Sequence, residues 1–324
     1  MPGTGLKFEK NSNLWYYLSD LIIQANDLRR LHMTSFQAIV MGIIQGLTEF
    51  LPVSSSGHLA IISNLSGADM EGGVLFEVLL HVATLASVCA VYYKDVGRLV
   101  VDFFAICGDC GVNIGRFFKN ISAINKQEYK PVCTTPGRKL ALMIMVSTVP
   151  TGIMGILLDD VVDAVSGNLL VVGLCLLGTG GILFISDLVD KGSKKQKEAN
   201  FGDAMLAGIS QGFAVLPGIS RSGTTITGCL LCGFDRRFAV KYSFLMSIPA
   251  ILGALVLELF KLPGSGGLAA PAGACIAAMI LAAVIGFFAL KIVSTLAINK
   301  RFKPFWIYCF AVGAISIIIF LIKL

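Results

Sequence analysis

Residues 45 to 59 read QGLTEFLPVSSSGHL, and residues 211 to 225 read QGFAVLPGISRSGTT. Each stretch lies on an apolar run that begins like a membrane helix, and each breaks that run with proline, serine and glycine. From Gln45 to Gly57 is twelve positions, and from Gln211 to Gly223 is also twelve. The order is shared: Gln-Gly, an apolar residue, then Leu-Pro, then Ser-x-Ser-Gly. Ser54 pairs with Ser220, Ser55 with Arg221, Ser56 with Ser222 and Gly57 with Gly223. The chain therefore reads as an internal duplication with one interrupted segment per half. Non-helical backbone at membrane depth survives only where protein or a wet cavity satisfies its polar groups. Paired interruptions at corresponding places point to a site at the interface of the repeats.

The sequence around these breaks is that of a membrane protein. Of 324 residues, 55% are hydrophobic and 14% charged, with a mean hydropathy of +0.79; a soluble domain carries about 25% charged residues. Apolar runs near 74–93, 138–158, 168–188, 239–260, 269–293 and 304–323 each approach the ~20 residues needed to cross ~30 Å of hydrocarbon. The ~10-residue alternating strands of a transmembrane barrel are absent. Segments 35–66 and 202–233, each helix-break-helix, read as re-entrant hairpins. Residues 94–137 form a longer polar connection with one or two helices along the membrane surface. The expected fold is an all-α polytopic membrane protein, about six transmembrane helices plus two re-entrant helical hairpins in an inverted-topology repeat. It forms one membrane domain, 34–324, with a first half of 34–160 and a second half of 161–324. An extension, 1–33, precedes it. Within that extension LWYYLSDLIIQANDLRRL (14–31) has the spacing of an interfacial amphipathic helix, without the features of a secretory signal.

Loop charges set the orientation. If the spans alternate, nineteen Lys and Arg residues in 94–139, 191–197, 236–241 and 291–303 share one face, whereas the other face keeps only Lys261 and Lys323. The positive-inside rule makes the first face cytoplasmic. The first hairpin then enters from outside and the second from inside. Lys7, Lys10, Arg29 and Arg30 run against this assignment. The net charge of +6 is ordinary for such loops, and no aromatic-interleaved basic patch suggests nucleic acid. The nine cysteines show no metal-ligand spacing and read as small hydrophobes.

Together the two breaks hold a chemical constellation. Arg221 is a permanent cation in an otherwise uncharged segment, and an intramembrane charge is a functional-site hypothesis by default. Its planar fork suits phosphate oxygens. Ser220, Ser222, Thr224 and Thr225 add hydroxyls, Gly218 and Gly223 allow close approach, and a helix restarting after the turn aims its positive end at an anion. The first break supplies reactive groups: the Glu49 carboxylate, the hydroxyls of Ser54, Ser55 and Ser56, and the His58 imidazole. Glu49 could also hold a divalent cation bridging phosphate oxygens. His81, with Glu77 one turn before it, reads as a structural polar contact in an apolar helix. On residues alone the site binds an anionic ligand, and enzyme and transporter stand level.

These motifs resemble those of the undecaprenyl-pyrophosphate phosphatase family, the integral membrane enzymes tied to bacitracin resistance. The family's (Glu/Gln)-x-x-x-Glu followed by Pro-Val-Ser-Ser-(Ser/Thr)-Gly-His is matched by QGLTE and PVSSSGH. Its Pro-Gly-x-Ser-Arg-Ser-x-x-Thr is matched by PGISRSGTT, with further similarity in TVPTGIMGILLDD and DRRFAVKYSFLMSIPAILGA. The resemblance runs from about Thr34 to the C-terminus. It implies hydrolysis of undecaprenyl pyrophosphate to the monophosphate at the outer face of a bacterial plasma membrane, with a divalent cation, Mg²⁺ or Ca²⁺. Position by position it marks Gln45, Glu49, Ser55, His58, Ser220, Arg221 and Thr225. Gln45 stands where many members have Glu, which removes one acid or metal ligand. The expected nucleophile is Ser55, helped by His58 or Glu49, or water activated by the same pair, or His58 itself. The expected partners are a polyprenyl pyrophosphate lipid and membrane lipids, and no nucleic acid. A homodimer is compatible with a sequence that does not disclose oligomeric state. The alternative is a polyprenyl-phosphate flippase using the same headgroup site.

Overall fold

In the computed structural model the described residues are 33–67, 74–122, 125–189, 192–261, 270–299 and 302–323, and every regular element among them is a helix. The extension expected to be an interfacial helix lies outside them, apart from Met33. In chain order the helices are α1 (Ser35–Thr48), α2 (Ser55–Ser66), α3 (Val74–Val91), α4 (Tyr93–Ser122), α5 (Pro136–Val165), α6 (Leu169–Leu188), α7 (Phe201–Phe213), α8 (Arg221–Leu231), α9 (Arg236–Lys261), α10 (Ala272–Ile298) and α11 (Lys303–Lys323). Among the described residues, α5, α6, α9, α10 and α11 are long and apolar enough to cross a bilayer, and α3 passes the same test only when paired with α4 across a bend of 98°.

The two interrupted segments fold into matching hairpins because their start signals match. α1 opens at Thr34, whose hydroxyl accepts from the Gln37 amide while the Gln37 side chain accepts from the Thr34 N–H. α7 opens the same way at Asn200 with Asp203. Such reciprocal caps satisfy two of the amides that a helix start leaves unpaired. α2 restarts at Ser54, whose Oγ accepts from Gly57 N at 3.2 Å; α8 restarts at Ser220, whose Oγ accepts from Gly223 N at 3.1 Å. Both hairpins are antiparallel. Gln37 Nε2 donates to Ser66 O at the open end of the first, and Cys232 Sγ meets Asp203 O at that of the second. With 14 residues, α1 rises only about 21 Å, short of the ~30 Å a span requires.

Small residues let each hairpin lie close against a helix of the other half. Gly42 and Gly46 of α1 rest on α10 at Ala278 and Ala282; a Cβ at Gly46 would stand 2.9 Å from Ala282 O. Gly208 and Gly212 of α7 rest on α5 at Ser147, Pro150 and Met154, where a Cβ at Gly208 would come within 2.7 Å of Ser147 Cα and Pro150 Cγ. Within lipid, where apolar surface alone does not drive helices together, such close backbone approach is the main source of helix association. The opposite face of α10 exposes Ile276, Ile280, Val284, Phe288 and Ile292, four apart throughout, as a lipid-facing stripe.

Helix α6 acts as a ruler between the hairpins. Asn64, at the open end of the first, donates to Gly167 O just before α6 begins, at 3.0 Å. Arg236, just beyond the open end of the second, donates to Ser186 O near the end of α6, at 2.8 Å. The second tip docks midway: Thr179 Oγ1 donates to Gly218 O at 2.8 Å and accepts from Ser220 N at 3.0 Å. The 20 residues of α6 cover about 30 Å. The hairpins therefore approach from opposite ends of α6 and meet tip to tip about midway along it.

The long connection holds one helix rather than two. The 30-residue α4 turns 98° away from α3 and so runs across the spanning direction. It exposes Val100, Val101, Phe103, Phe104, Phe117, Phe118 and Ile121, as a helix lying along an interface does.

Candidate active site

Glu49 caps the C-terminus of α1, its backbone N–H still bonded to Gln45 O, and its side chain is 2% exposed. The carboxylate turns into the gap between the tips. Oε2 accepts from Gln45 Nε2 at 2.9 Å and from Ser55 Oγ at 2.7 Å, and faces His81 Nε2 at 3.4 Å. Oε1 accepts from Arg221 Nη2, a bond that joins the two halves of the chain. Ser55 is the first residue of α2 and Arg221 the first of α8, so equivalent places in the repeat present a hydroxyl and a guanidinium to one carboxylate. The tips also touch through backbone: Gly57 lies against Gly218, Gly223 against Pro52, and Ser222 Oγ reaches Leu51 O at 3.4 Å.

This arrangement has definite chemical abilities. A serine hydroxyl whose hydrogen points at a carboxylate is a nucleophile paired with its base. Arg221 Nη1 is buried without an acceptor, and Thr224 Oγ1 likewise has no partner. A buried donor left unpaired costs about 1–3 kcal/mol, and an anionic oxygen beside Arg221 relieves that cost.

The structure divides the candidate residues. Gln45, Glu49, Ser55 and Arg221 come together as one cluster. The hydroxyls of Ser54, Ser220, Ser222 and Thr225, expected to bind substrate, are instead turned into the scaffold. Ser54 and Ser220 cap helices. Thr225 Oγ1 donates toward Arg221 O and contacts Ser243 Oγ, and Ser222 ties the tips together. Their polar atoms are spent on backbone that the broken helices leave unpaired, as at any helix start. Ser56 is half-buried, with its Oγ 3.3 Å from Ser54 Oγ. His58 is drawn away from the Ser55 hydroxyl: Nδ1 donates to Ser54 O at 2.7 Å, and Nε2 meets Tyr308 Oη at 2.8 Å beneath a stacked ring. The titratable side chain that meets the Ser55 hydroxyl is Glu49.

Two groups escape the sequence reading. Tyr308, from α11, takes up His58. His81, which the sequence makes half of a structural pair with Glu77, stands on Glu49. The only sequence signal for His81 is a histidine one turn after a glutamate on the span next to the first hairpin.

A divalent cation does not fit Glu49 as it stands. Oε2 is saturated by donors, Oε1 is held by a guanidinium, and a cation there would face both Arg221 and His81. Among the described residues no three His, Cys, Asp or Glu side chains converge on a common point. A cavity of ≈ 700 Å³ lies elsewhere, lined by charged residues of α4, Lys241 and the 195–198 turn.

Comparison with known proteins shows the family of the chain. The family described as Bacitracin resistance protein BacA matches residues 38–315. An undecaprenyl-diphosphatase of Alkaliphilus metalliredigens is 39% identical over 88% of this chain and 98% of its own length. One of Desulfosudis oleivorans is 40% identical over 88% of this chain and 98% of its own. One of Methanosphaera stadtmanae is 36% identical over 87% and 96% respectively.

Proposed function

The chain belongs to the BacA family, and from that premise we propose that the paired hairpin tips are the catalytic centre of its diphosphatase activity. The protein is a polytopic membrane hydrolase that converts undecaprenyl pyrophosphate to undecaprenyl phosphate and inorganic phosphate. The flippase reading finds no support among the relatives. The observation that carries the site assignment is the single Glu49 carboxylate shared by Ser55 Oγ and Arg221 across the two halves.

The diphosphate enters between the tips with its isoprenoid chain in lipid, and its oxygens take the unpaired Nη1 of Arg221. Ser55 Oγ attacks the terminal phosphorus as its proton passes to Glu49. The bond from that phosphorus to the bridging oxygen breaks, and undecaprenyl phosphate leaves with the electron pair. Water then attacks the phosphoserine, and the bond from phosphorus to Oγ breaks. Glu49 returns its proton to Ser55, and both water hydrogens depart on inorganic phosphate. Arg221 holds the charge that builds on the phosphoryl oxygens in both steps. The excess of Lys and Arg on one set of loops supports a bacterial plasma-membrane orientation with that face cytoplasmic and substrate arriving from the outer side.

Phosphate release from undecaprenyl pyrophosphate by purified protein in detergent tests this reading. A donor aimed at developing charge contributes about 3–4 kcal/mol. Arg221→Ala is expected to lose at least about a hundredfold in turnover while its thermal unfolding stays near that of the parent. Near-parental release by that variant contradicts the assignment.

A further inference from the structure

We propose that His81 is a positioning residue of this site, acting on the substrate only through Glu49. The inference rests on the catalytic reading above. His81 Nδ1 lies 2.9 Å from Glu77 O, one turn back on α3. A carbonyl oxygen only accepts, so Nδ1 carries a hydrogen and the ring orientation is fixed. That leaves Nε2, 3.4 Å from Glu49 Oε2, as the working atom. When Nε2 carries a hydrogen it donates toward Glu49 Oε2, and that contact is the one the proposal uses.

Several titratable groups face one another here. The charges acting on Glu49 come from His81 and Arg221, and those acting on Glu77 come from His81 and Glu49. The cluster thus gathers Glu49, Glu77, His81 and Arg221 from three separate parts of the fold. Gln45 fastens Glu49 from behind, Arg221 from the opposite hairpin, and His81 from the neighbouring span. With Ser55 Oγ donating to Oε2 and His81 Nε2 lying 3.4 Å from the same atom, the imidazole is placed to fix the rotation of the carboxylate at the oxygen that receives the serine proton.

This makes a prediction that separates the two ring nitrogens. A glutamine amide nitrogen extends about as far as Nε2, and an asparagine amide nitrogen about as far as Nδ1. His81→Leu is expected to lower kcat by between about 10- and 100-fold, the range for a hydrogen bond to a charged group, with KM within about twofold. His81→Gln restores kcat to within about fivefold of the parent, and His81→Asn does not. Rescue by Asn and not by Gln overturns the inference, because it assigns His81 to the Glu77 carbonyl alone. Parental kcat in all three variants overturns it as well. Arg221→Ala is assayed alongside on the same substrate. If the parent and Arg221→Ala release phosphate equally, the catalytic reading itself has failed and this inference falls with it. Equal thermal unfolding of His81→Gln and the parent excludes misfolding as the source of any difference.

Discussion

The two hairpins share a scaffold and differ in chemistry. Thr34 and Asn200 open them with the same reciprocal cap, Ser54 and Ser220 restart them on the same glycine amide, and Gly42 and Gly208 seat them on equivalent helices. What each contributes at the tip is different. In the register that aligns Gln45 with Gln211, Glu49 stands opposite Val215 and Ser55 opposite Arg221. The bend differs too. In the first hairpin the left-handed backbone falls on Ser54 itself, with φ of 68°, while in the second it falls on Gly218, with φ of 98°. A serine in that region is held there by its surroundings, at a cost of about 1–3 kcal/mol. The lesson is that duplication supplied two structurally equivalent tips, and the proposed function rests on their departure from equivalence: carboxylate and hydroxyl on one, guanidinium on the other.

The largest test of that contrast is at the aligned pair Glu49 and Val215. Glu49→Gln removes the proton acceptor and the counter-charge of Arg221 together, and is expected to lower turnover at least several hundredfold in the phosphate-release assay. Val215→Ala, the same place in the other hairpin, should stay within about threefold. Comparable losses would mean that the tips are functionally alike. A smaller effect probes what the hairpins share. Gly42→Leu and Gly208→Leu both force a side chain into a neighbouring helix, and overpacking of this kind typically costs about 1–3 kcal/mol. Thermal unfolding in detergent should fall by similar amounts in the two variants. A loss confined to one would show that the seats are not equivalent.

Much of this architecture is legible in the sequence because its causes are local. A helix that stops at Leu-Pro and restarts at Ser-x-Ser-Gly announces itself, and doing so twice at equal spacing exposes the repeat. Runs of ~20 apolar residues locate the spans, although α5 runs on past the expected 138–158 through Asp159, Asp160 and Asp163 to Val165. Arg221 and Glu49 are conspicuous as charges in apolar company. What the sequence withholds is which way each hydroxyl turns. Ser220, Ser222 and Thr225 have the composition of a phosphate cradle, yet the broken backbone claims them first. His81 is hidden for another reason: its meeting with Glu49 depends on how α3 packs beside the first hairpin, and no short-range pattern encodes that. His58 shows the converse, a conspicuous residue of the motif whose ring is engaged by Tyr308 from the far end of the chain.

The most direct test of the shared carboxylate is a double-mutant cycle in turnover, comparing Glu49→Gln, Arg221→Ala and the variant carrying both. Groups that act as a unit are strongly non-additive. If the guanidinium of one half works through its contact with the carboxylate of the other, the double variant is no more than about threefold slower than the slower single one. Losses that multiply, to about 10⁴-fold or more, would show that the two residues act independently and that the tips do not form one site.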